Sequence, residues 1–430
     1  MKILIKGGHV VDPATGLDGP ADILVDEGVV KNVGKISAQD CSVVDASGKI
    51  VMPGLVDMHV HLREPGREDK ETVGTGTKAA AKGGVTTVLA MPNTNPAMDE
   101  GRHVRRLAEI IQKTAHVNVL VSGCLTMGRQ GRELCDFAVL KQEGAVAVSD
   151  DGSSVDDDRL MLEAFKKARA AGLLVICHCE DRQLSGKGVV NLGLISTQLG
   201  LRGIPKEAEY RRVERDIVLA AQADCPVHIA HVSCRESVDL IAGAKKKGLR
   251  VTAETAPHYL IFTEEDLRGY NTNFKMNPPL RSPEDRQALR QALKEGLIDA
   301  LASDHAPHTE SEKDIEFDHA EFGITGLETE LAAVATELVK TGVLTWMDVA
   351  RRMAYEPARI LSIDKGTLKP GATADVVIVD PLKDWTVTKA GFASMSNNSP
   401  FVGRVLQTSV ACVLCRGKVV FGNGACRKQA

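Results

Sequence analysis

Aromatic side chains are scarce in this chain: Phe, Trp and Tyr make up 3% of its 430 residues. Base-stacking platforms need such rings, and the formal charge of −4 supplies no basic footprint for nucleic acid either. No run approaches the ~18 apolar residues of a membrane helix. Residues 1–8 lack the long apolar core and small-residue cleavage site of a secretory signal. The expectation is a cytoplasmic enzyme acting on a small molecule, with no nucleic-acid or membrane partner. Ten cysteines are present but scattered, several of them inside apolar runs, where a thiol packs as a small hydrophobe. Cys412 and Cys415 have the spacing of a metal or redox pair. No second pair lies near and the segment alternates like a strand, so core packing is expected there.

At 430 residues, the length suits one large α/β barrel with a satellite. Strand-like apolar runs recur at 55–58, 85–91, 117–121, 145–148, 173–177, 227–230, 249–253 and 298–302. Segments between them, such as 159–171, 207–223 and 281–295, carry apolar residues at helical spacing. Eight strands alternating with helices predict a parallel (β/α)8 barrel over 53–363. The first fifty residues and the last sixty-five or so hold short β-rich runs with Gly, Asp and Pro turns (3–6, 23–25, 29–33, 374–380, 409–421). Residues 1–52 and 364–430 are therefore expected to pair into one β-rich domain.

Five of the barrel runs end in metal ligands: His59-Val60-His61, Ser149-Asp150-Asp151, His178-Cys179-Glu180, His228-Ile229-Ala230-His231 and Ser303-Asp304-His305. Chemistry in such barrels sits at the C-terminal ends of the strands, so the fold itself predicts that these residues converge. A His-x-His pair on an extended segment projects both rings to one face. Imidazoles with carboxylates suit a hydrolytic divalent ion, zinc first. The spacing predicts His59, His61 and Asp304 on one ion and His178 and His231 on another, with a carboxylate from Asp150 or Asp151 between them. An ion there lowers the pKa of its water to about 7 and polarises a carbonyl. Asp304, beside that water, is the expected acid/base group. Arg63, two residues past His61, is expected to point the same way and to hold a carboxylate. Asn93 and Asn277, after the second and seventh strands, are candidates for reading an amide or ring carbonyl. His9, His103, His116 and His319 are read as ordinary surface or paired histidines.

The segments from Asp57 through His61-Leu62-Arg63-Glu64-Pro65-Gly66 and Ser303-Asp304-His305-Ala306-Pro307-His308, with Lys313 beyond, resemble dihydroorotases of the class I bacterial type within the amidohydrolase superfamily. The likeness runs through residues 91–96, 149–152, 178–181, 277–281 and 322–328. It implies zinc-dependent, reversible hydrolysis of (S)-dihydroorotate to N-carbamoyl-L-aspartate, the third step of pyrimidine biosynthesis. It assigns the bridge to Asp151, the carboxylate end of the substrate to Arg63, Asn93 and His308, the ring to Asn277, Phe322 and Gly323, and acid/base duty to Asp304. It also implies one or two zinc ions per chain, a homo-oligomer such as a dimer, and aspartate transcarbamoylase as a possible partner. The charged segment 307–322 is expected to be a mobile lid.

Many superfamily relatives bridge their metals with a carboxylated lysine on the fourth strand. The nearest lysine here, Lys141, precedes that strand and is badly placed. Two alternatives stand beside this reading. A hydantoinase or allantoinase shares the barrel and His-x-His pair but usually carries the lysine and lacks the Arg63 and Asn277 context. An inactive scaffolding subunit is expected to have lost ligands that this chain keeps.

Overall fold

The computed structural model describes residues 2–422. Eight strands follow one another round a barrel: β1 (Leu55–Val60), β2 (Val85–Ala90), β3 (Asn118–Gly123), β4 (Ala145–Val148), β5 (Leu174–Cys177), β6 (Val227–Ile229), β7 (Val251–Thr255) and β8 (Ala300–Leu301). Each pairs with the next in parallel. Every residue of β1 and β2 is buried, because helices cover one face and the barrel interior the other. That double burial is why these strands read as mainly apolar runs without strict alternation, broken only by Asp57 and His59 in β1 and Thr86 and Thr87 in β2. The ring closes above the short β8, where Val60 bridges His305 in parallel and the His61 N–H donates to the His305 main-chain oxygen at 2.9 Å. Closure thus falls at the level of the His-x-His pair.

The helices Asp158–Ala171 and Glu207–Gln222 lie where periodicity placed them. The third begins at Pro283 rather than at 281. Ser282 caps it, its hydroxyl accepting from the Asp285 N–H at 3.3 Å while the Asp285 carboxylate accepts from the Ser282 N–H at 3.2 Å, and Pro283 occupies the first turn. Arg281 is left outside the helix and buried, donating to Asn191 Oδ1, Ser233 Oγ and the Ile204 carbonyl.

A second sheet draws strands from both ends of the chain. Ile3–Asp12, Leu17–Asp26, Val29–Gly34, Ser42–Asp45 and Ile50–Pro53 join Val376–Asp380, Ser409–Cys415 and Lys418–Gly422. The seam is the antiparallel pairing of Ile50–Pro53 with Val376–Asp380. Ile5, Val10, Ile23, Val51, Val376 and Ile378 form a core of its own beneath it. The apolar run 409–421 reads as one strand but folds as a hairpin. Arg416 and Gly417 both take left-handed φ, 52° and 70°, the geometry of a two-residue turn, and a Cβ at Gly417 would sit 2.6 Å from the Gly28 Cα. Among the described residues, no helix is long and apolar enough to cross a membrane.

Candidate metal centre and substrate cavity

Asp151 lies where four imidazoles meet. Its carboxylate is 3.2 Å from His59 Nε2, 3.5 Å from His61 Nε2, 3.5 Å from His178 Nδ1 and 3.5 Å from His231 Nε2. The donor atoms fall into two groups that share it, His59–His61–Asp151 and Asp151–His178–His231, each within 4.8 Å. Asp304 Oδ1 stands 3.3 Å from His61 Nε2 and 3.7 Å from His59 Nε2. All six side chains are buried. The histidines beside Asp304 hold its carboxyl down near about 2, against the opposing effect of burial. His231 and Asp304 both carry left-handed φ, 35° and 48°, uncommon for such residues and a mark of backbone bent to aim a side chain.

This donor set fits a divalent metal. His59 Nε2 is buried without a hydrogen-bond partner among the described residues. His178 Nδ1 and His231 Nε2 face each other at 2.8 Å, an arrangement that needs a shared proton or an ion. Nitrogen and carboxylate ligands around a common carboxylate can hold one or two hydrolytic ions.

The structure separates the two aspartates that spacing left open. Asp150 is committed to the loop after β3, accepting from the Leu125 and Thr126 N–H groups at 2.9 and 3.1 Å and from the Thr126 hydroxyl. Asp151 alone is left to face the histidines. Lys141 lies away from them, its ammonium 3.4 Å from the Gly172 carbonyl.

Groups behind the ligands hold them in place, and of the residues around the centre Glu254 and His258 were not singled out in the sequence. Glu254, at the C-terminal end of β7, accepts from His59 Nδ1 at 2.7 Å and pairs with His228 Nε2 at 3.3 Å, which fixes Nε2 as the His59 atom facing Asp151. His228 and His59 pull the fully buried Glu254 carboxyl down to about 2 in spite of its burial. Asn93 Oδ1 lies 2.8 Å from His61 Nδ1, leaving the Asn93 amide nitrogen for other partners. Glu180 Oε2 links His178 Nε2, 3.3 Å away, to Asn277 Nδ2 at 3.0 Å. His258, following β7, is buried with Nε2 unpartnered, and burial lowers its pKa to about 4. A carboxylate ending an apolar strand, as in Val251–Thr255, was the available signal for Glu254.

A cavity of about 270 Å³ opens over Asp151 and Asp304. Arg63, Asn93, Asn277, His308, Phe322 and Gly323 all line it. Arg63 reaches the cavity for a different reason than strand alternation, since its φ is 62° and the chain has already turned. Its Nε donates to the Pro307 carbonyl at 3.1 Å, and burial pulls its pKa down to about 10, so it remains a cation. His308 Nδ1 is 3.1 Å from Lys70 Nζ, and Nε2 is 2.8 Å from the Phe322 carbonyl. Burial and the neighbouring Arg63 and Lys70 push the His308 pKa well down, so the ring is neutral, with Nδ1 accepting and Nε2 donating. Gly323 adopts φ +126°, where a Cβ would come 2.6 Å from the Ala306 Cβ.

The segment 307–322 includes a short helix, Glu310–Lys313, and is pinned over the site. Lys313 Nζ donates to the Glu321 and Gly323 carbonyls at 2.8 and 3.0 Å, and Lys275 Nζ to the Phe317 and Asp318 carbonyls at 2.8 and 3.1 Å. Asn398, from the C-terminal region, accepts from the His308 N–H and donates to the Ala306 and Gly323 carbonyls. Away from the site, His9 pairs with Asp18, and His103 bonds Asp99 and the Ala97 carbonyl.

Comparison with known proteins places this arrangement. The sequence model of the family described as dihydro-orotase-like matches residues 48–237. A dihydroorotase of Elusimicrobium minutum is 51% identical over 99% of this chain and 98% of its own. One of Geobacter metallireducens is 49% identical over 98% and 100%. Among solved structures, L-hydantoinase (dihydropyrimidinase) from Arthrobacter aurescens superposes with a TM-score of 0.89 at 27% identity, covering 98% of this chain and 96% of that one. A D-hydantoinase gives 0.87 at 26%, over 98% and 95%. The barrel is therefore shared with hydantoinases, whereas sequence identity of about one half over the whole length is found with dihydroorotases. The chain belongs to the dihydroorotase family of cyclic-amide hydrolases.

Proposed function

We propose that the chain is a zinc-dependent dihydroorotase of the class I bacterial type, which reversibly hydrolyses (S)-dihydroorotate to N-carbamoyl-L-aspartate in the third step of pyrimidine biosynthesis. The observation that carries this reading is the junction of four imidazoles at Asp151, directly beneath a cavity that holds the Arg63 guanidinium. His59, His61 and Asp304 would hold one ion, His178 and His231 the other, with Asp151 shared and occupancy of one or two. Zinc bound there supplies an ionised water near neutral pH and polarises the ring carbonyl. Asp304, ionised because its pKa is depressed, takes the proton of the attacking water and passes it to the ring nitrogen as the C–N bond breaks. Arg63 and the Asn93 amide hold the substrate carboxylate, and His308, its nitrogens bonded to Lys70 and the Phe322 carbonyl, walls that end of the cavity and meets the carboxylate only by giving up its bond to Phe322. Asn277 and the Phe322–Gly323 main chain meet the ring.

In this reading, residues 53–363 form the catalytic barrel, and 1–52 with 364–430 the composite β domain. The enzyme is cytoplasmic, acts as a homo-oligomer such as a dimer, and can pair with aspartate transcarbamoylase. The test is turnover of dihydroorotate in both directions by the purified chain, with metal measured on the same sample. Turnover with one to two zinc ions per chain supports the proposal. Turnover of hydantoin in place of dihydroorotate would replace it with the activity named for the solved neighbours.

A further inference from the structure

The loop after β3 puts a second guanidinium into the cavity, and none of the roles above uses it. Gly128 and Arg129 adopt successive left-handed conformations, φ 57° and 56°. For arginine this is an unfavourable backbone state that the surroundings must impose. The surroundings do so: the Gly128 N–H donates to Asp99 Oδ2 at 2.8 Å, the Arg129 N–H to the Thr126 carbonyl at 2.9 Å, and Asp150 ties down Leu125 and Thr126. Arg129 then lines the cavity alongside Arg63, Asn93 and Asp151. Its Nη1 donates to the Asp151 main-chain oxygen at 2.5 Å, and its Nε is buried with no partner among the described residues.

Gly152 lies between the two groups: a Cβ built there would be 3.6 Å from Arg129 Nη1, the nitrogen that also holds the Asp151 main-chain oxygen, and 3.9 Å from Asn93 Nδ2, so both nitrogens flank one glycine of the cavity wall. Asn93 has its oxygen turned to His61, and only its amide N–H groups are available. Two donor groups meeting over a glycine, one of them a permanent cation, match the planar acceptor pair of a carboxylate. The one carboxylate lining that cavity besides Asp151 and Asp304 is Glu321, whose charge acts on Arg63, Lys275 and Lys313.

We infer that Arg129 is a substrate-binding residue, acting with Asn93 on the carboxylate of an anionic cyclic ureide or its ring-opened form. This rests on the functional reading above and adds a specificity determinant to it: two cations in the cavity select a charged ring over a neutral one such as hydantoin. Because the carboxylate is present in substrate, transition state and product alike, Arg129 binds all three equally, so its removal raises KM and leaves kcat largely in place.

The test compares the zinc-loaded wild type with Arg129→Gln and Arg129→Lys. The quantities measured are the calorimetric Kd for orotate, the steady-state constants for dihydroorotate, and zinc content. Loss of a charge-assisted contact predicts a rise of about tenfold or more in the orotate Kd and dihydroorotate KM of Arg129→Gln, with zinc unchanged and partial recovery in Arg129→Lys. An unchanged Kd overturns the inference. So does lost zinc or lower kcat at constant KM, which would make Arg129 only a support for the Asp151 main chain. Absence of dihydroorotate turnover by the wild type would count against the functional reading, and the orotate Kd ratio would still decide the role of Arg129.

Discussion

Replacing Glu254 tests whether metal affinity at this centre is set from behind the ligands. Glu254 is fully buried and its Oε1 sits 2.7 Å from His59 Nδ1. In Glu254→Gln, an amide oxygen still accepts from His59, and the amide N–H groups can face His228, whose other nitrogen lies 2.8 Å from the Thr252 hydroxyl. What is lost is the charge assistance, about 1–1.5 kcal/mol, equivalent to roughly a tenfold weaker metal Kd. Glu254→Ala leaves the buried His59 N–H unpaired, which costs about 1–3 kcal/mol and predicts roughly a hundredfold loss. Competition against a chromophoric zinc chelator at fixed pH reads both, with circular dichroism confirming the fold. A Glu254→Ala protein that holds zinc within twofold of wild type would refute the reasoning, because the ring would then need no fixed tautomer.

Arg63→Ala removes the buried guanidinium but no metal ligand, so dihydroorotate KM rises by about tenfold or more while zinc content stays constant; metal analysis beside steady-state kinetics decides it. Asp304→Asn keeps an oxygen ligand but takes no proton, so kcat is expected to fall by roughly 10²-fold or more with metal partly retained, read in single-turnover assays. Lys313→Met leaves the Glu321 and Gly323 carbonyls without their donor, and proteolysis between 307 and 323 is expected to accelerate as dihydroorotate KM rises. Asp285 is lowered below the usual carboxylate value of 3.8 by Lys206, the Arg235 N–H and Ser282, against its burial. A depressed carboxyl stabilises the fold above pH 3.8 and ceases to do so as pH falls through its lower native value. Wild type is therefore expected to lose its thermal advantage over Asp285→Asn in that acid window, measured as converging melting temperatures.

The barrel was legible because its strands are buried on both faces, so burial wrote eight predominantly apolar runs into the chain. The convergence of the candidate ligands was legible because barrel geometry brings strand ends together whatever their separation in sequence. Less visible were features decided by one hydrogen bond. Asp150 and Asp151 are indistinguishable by spacing, and only the Leu125 and Thr126 N–H groups, which occupy Asp150, tell them apart. Arg63 was placed in the cavity for the wrong reason, since a left-handed residue, not an alternating strand, carries it there. The 409–421 hairpin was missed although Arg416-Gly417-Lys418 breaks the apolar run there, with Gly417 as the available turn signal. Glu254 and Arg129 act through partners more than twenty residues away, and a single sequence carries no mark of such pairings.

The pairing of Ile50–Pro53 with Val376–Asp380 also has a meaning in time. Synthesis delivers a chain from its N-terminus at about 5–20 residues per second, and domains fold as they emerge. Strands made within the first fifty-three residues cannot complete this sheet until residue 380 has left the ribosome. The loop that carries His308 waits still longer for Asn398. Metal ligands from His59 onward are thus assembled well before the groups that finish the cavity. A chain interrupted before residue 398 is expected to hold metal without a formed substrate site, and the emergence of Asn398 becomes the step that completes the cavity.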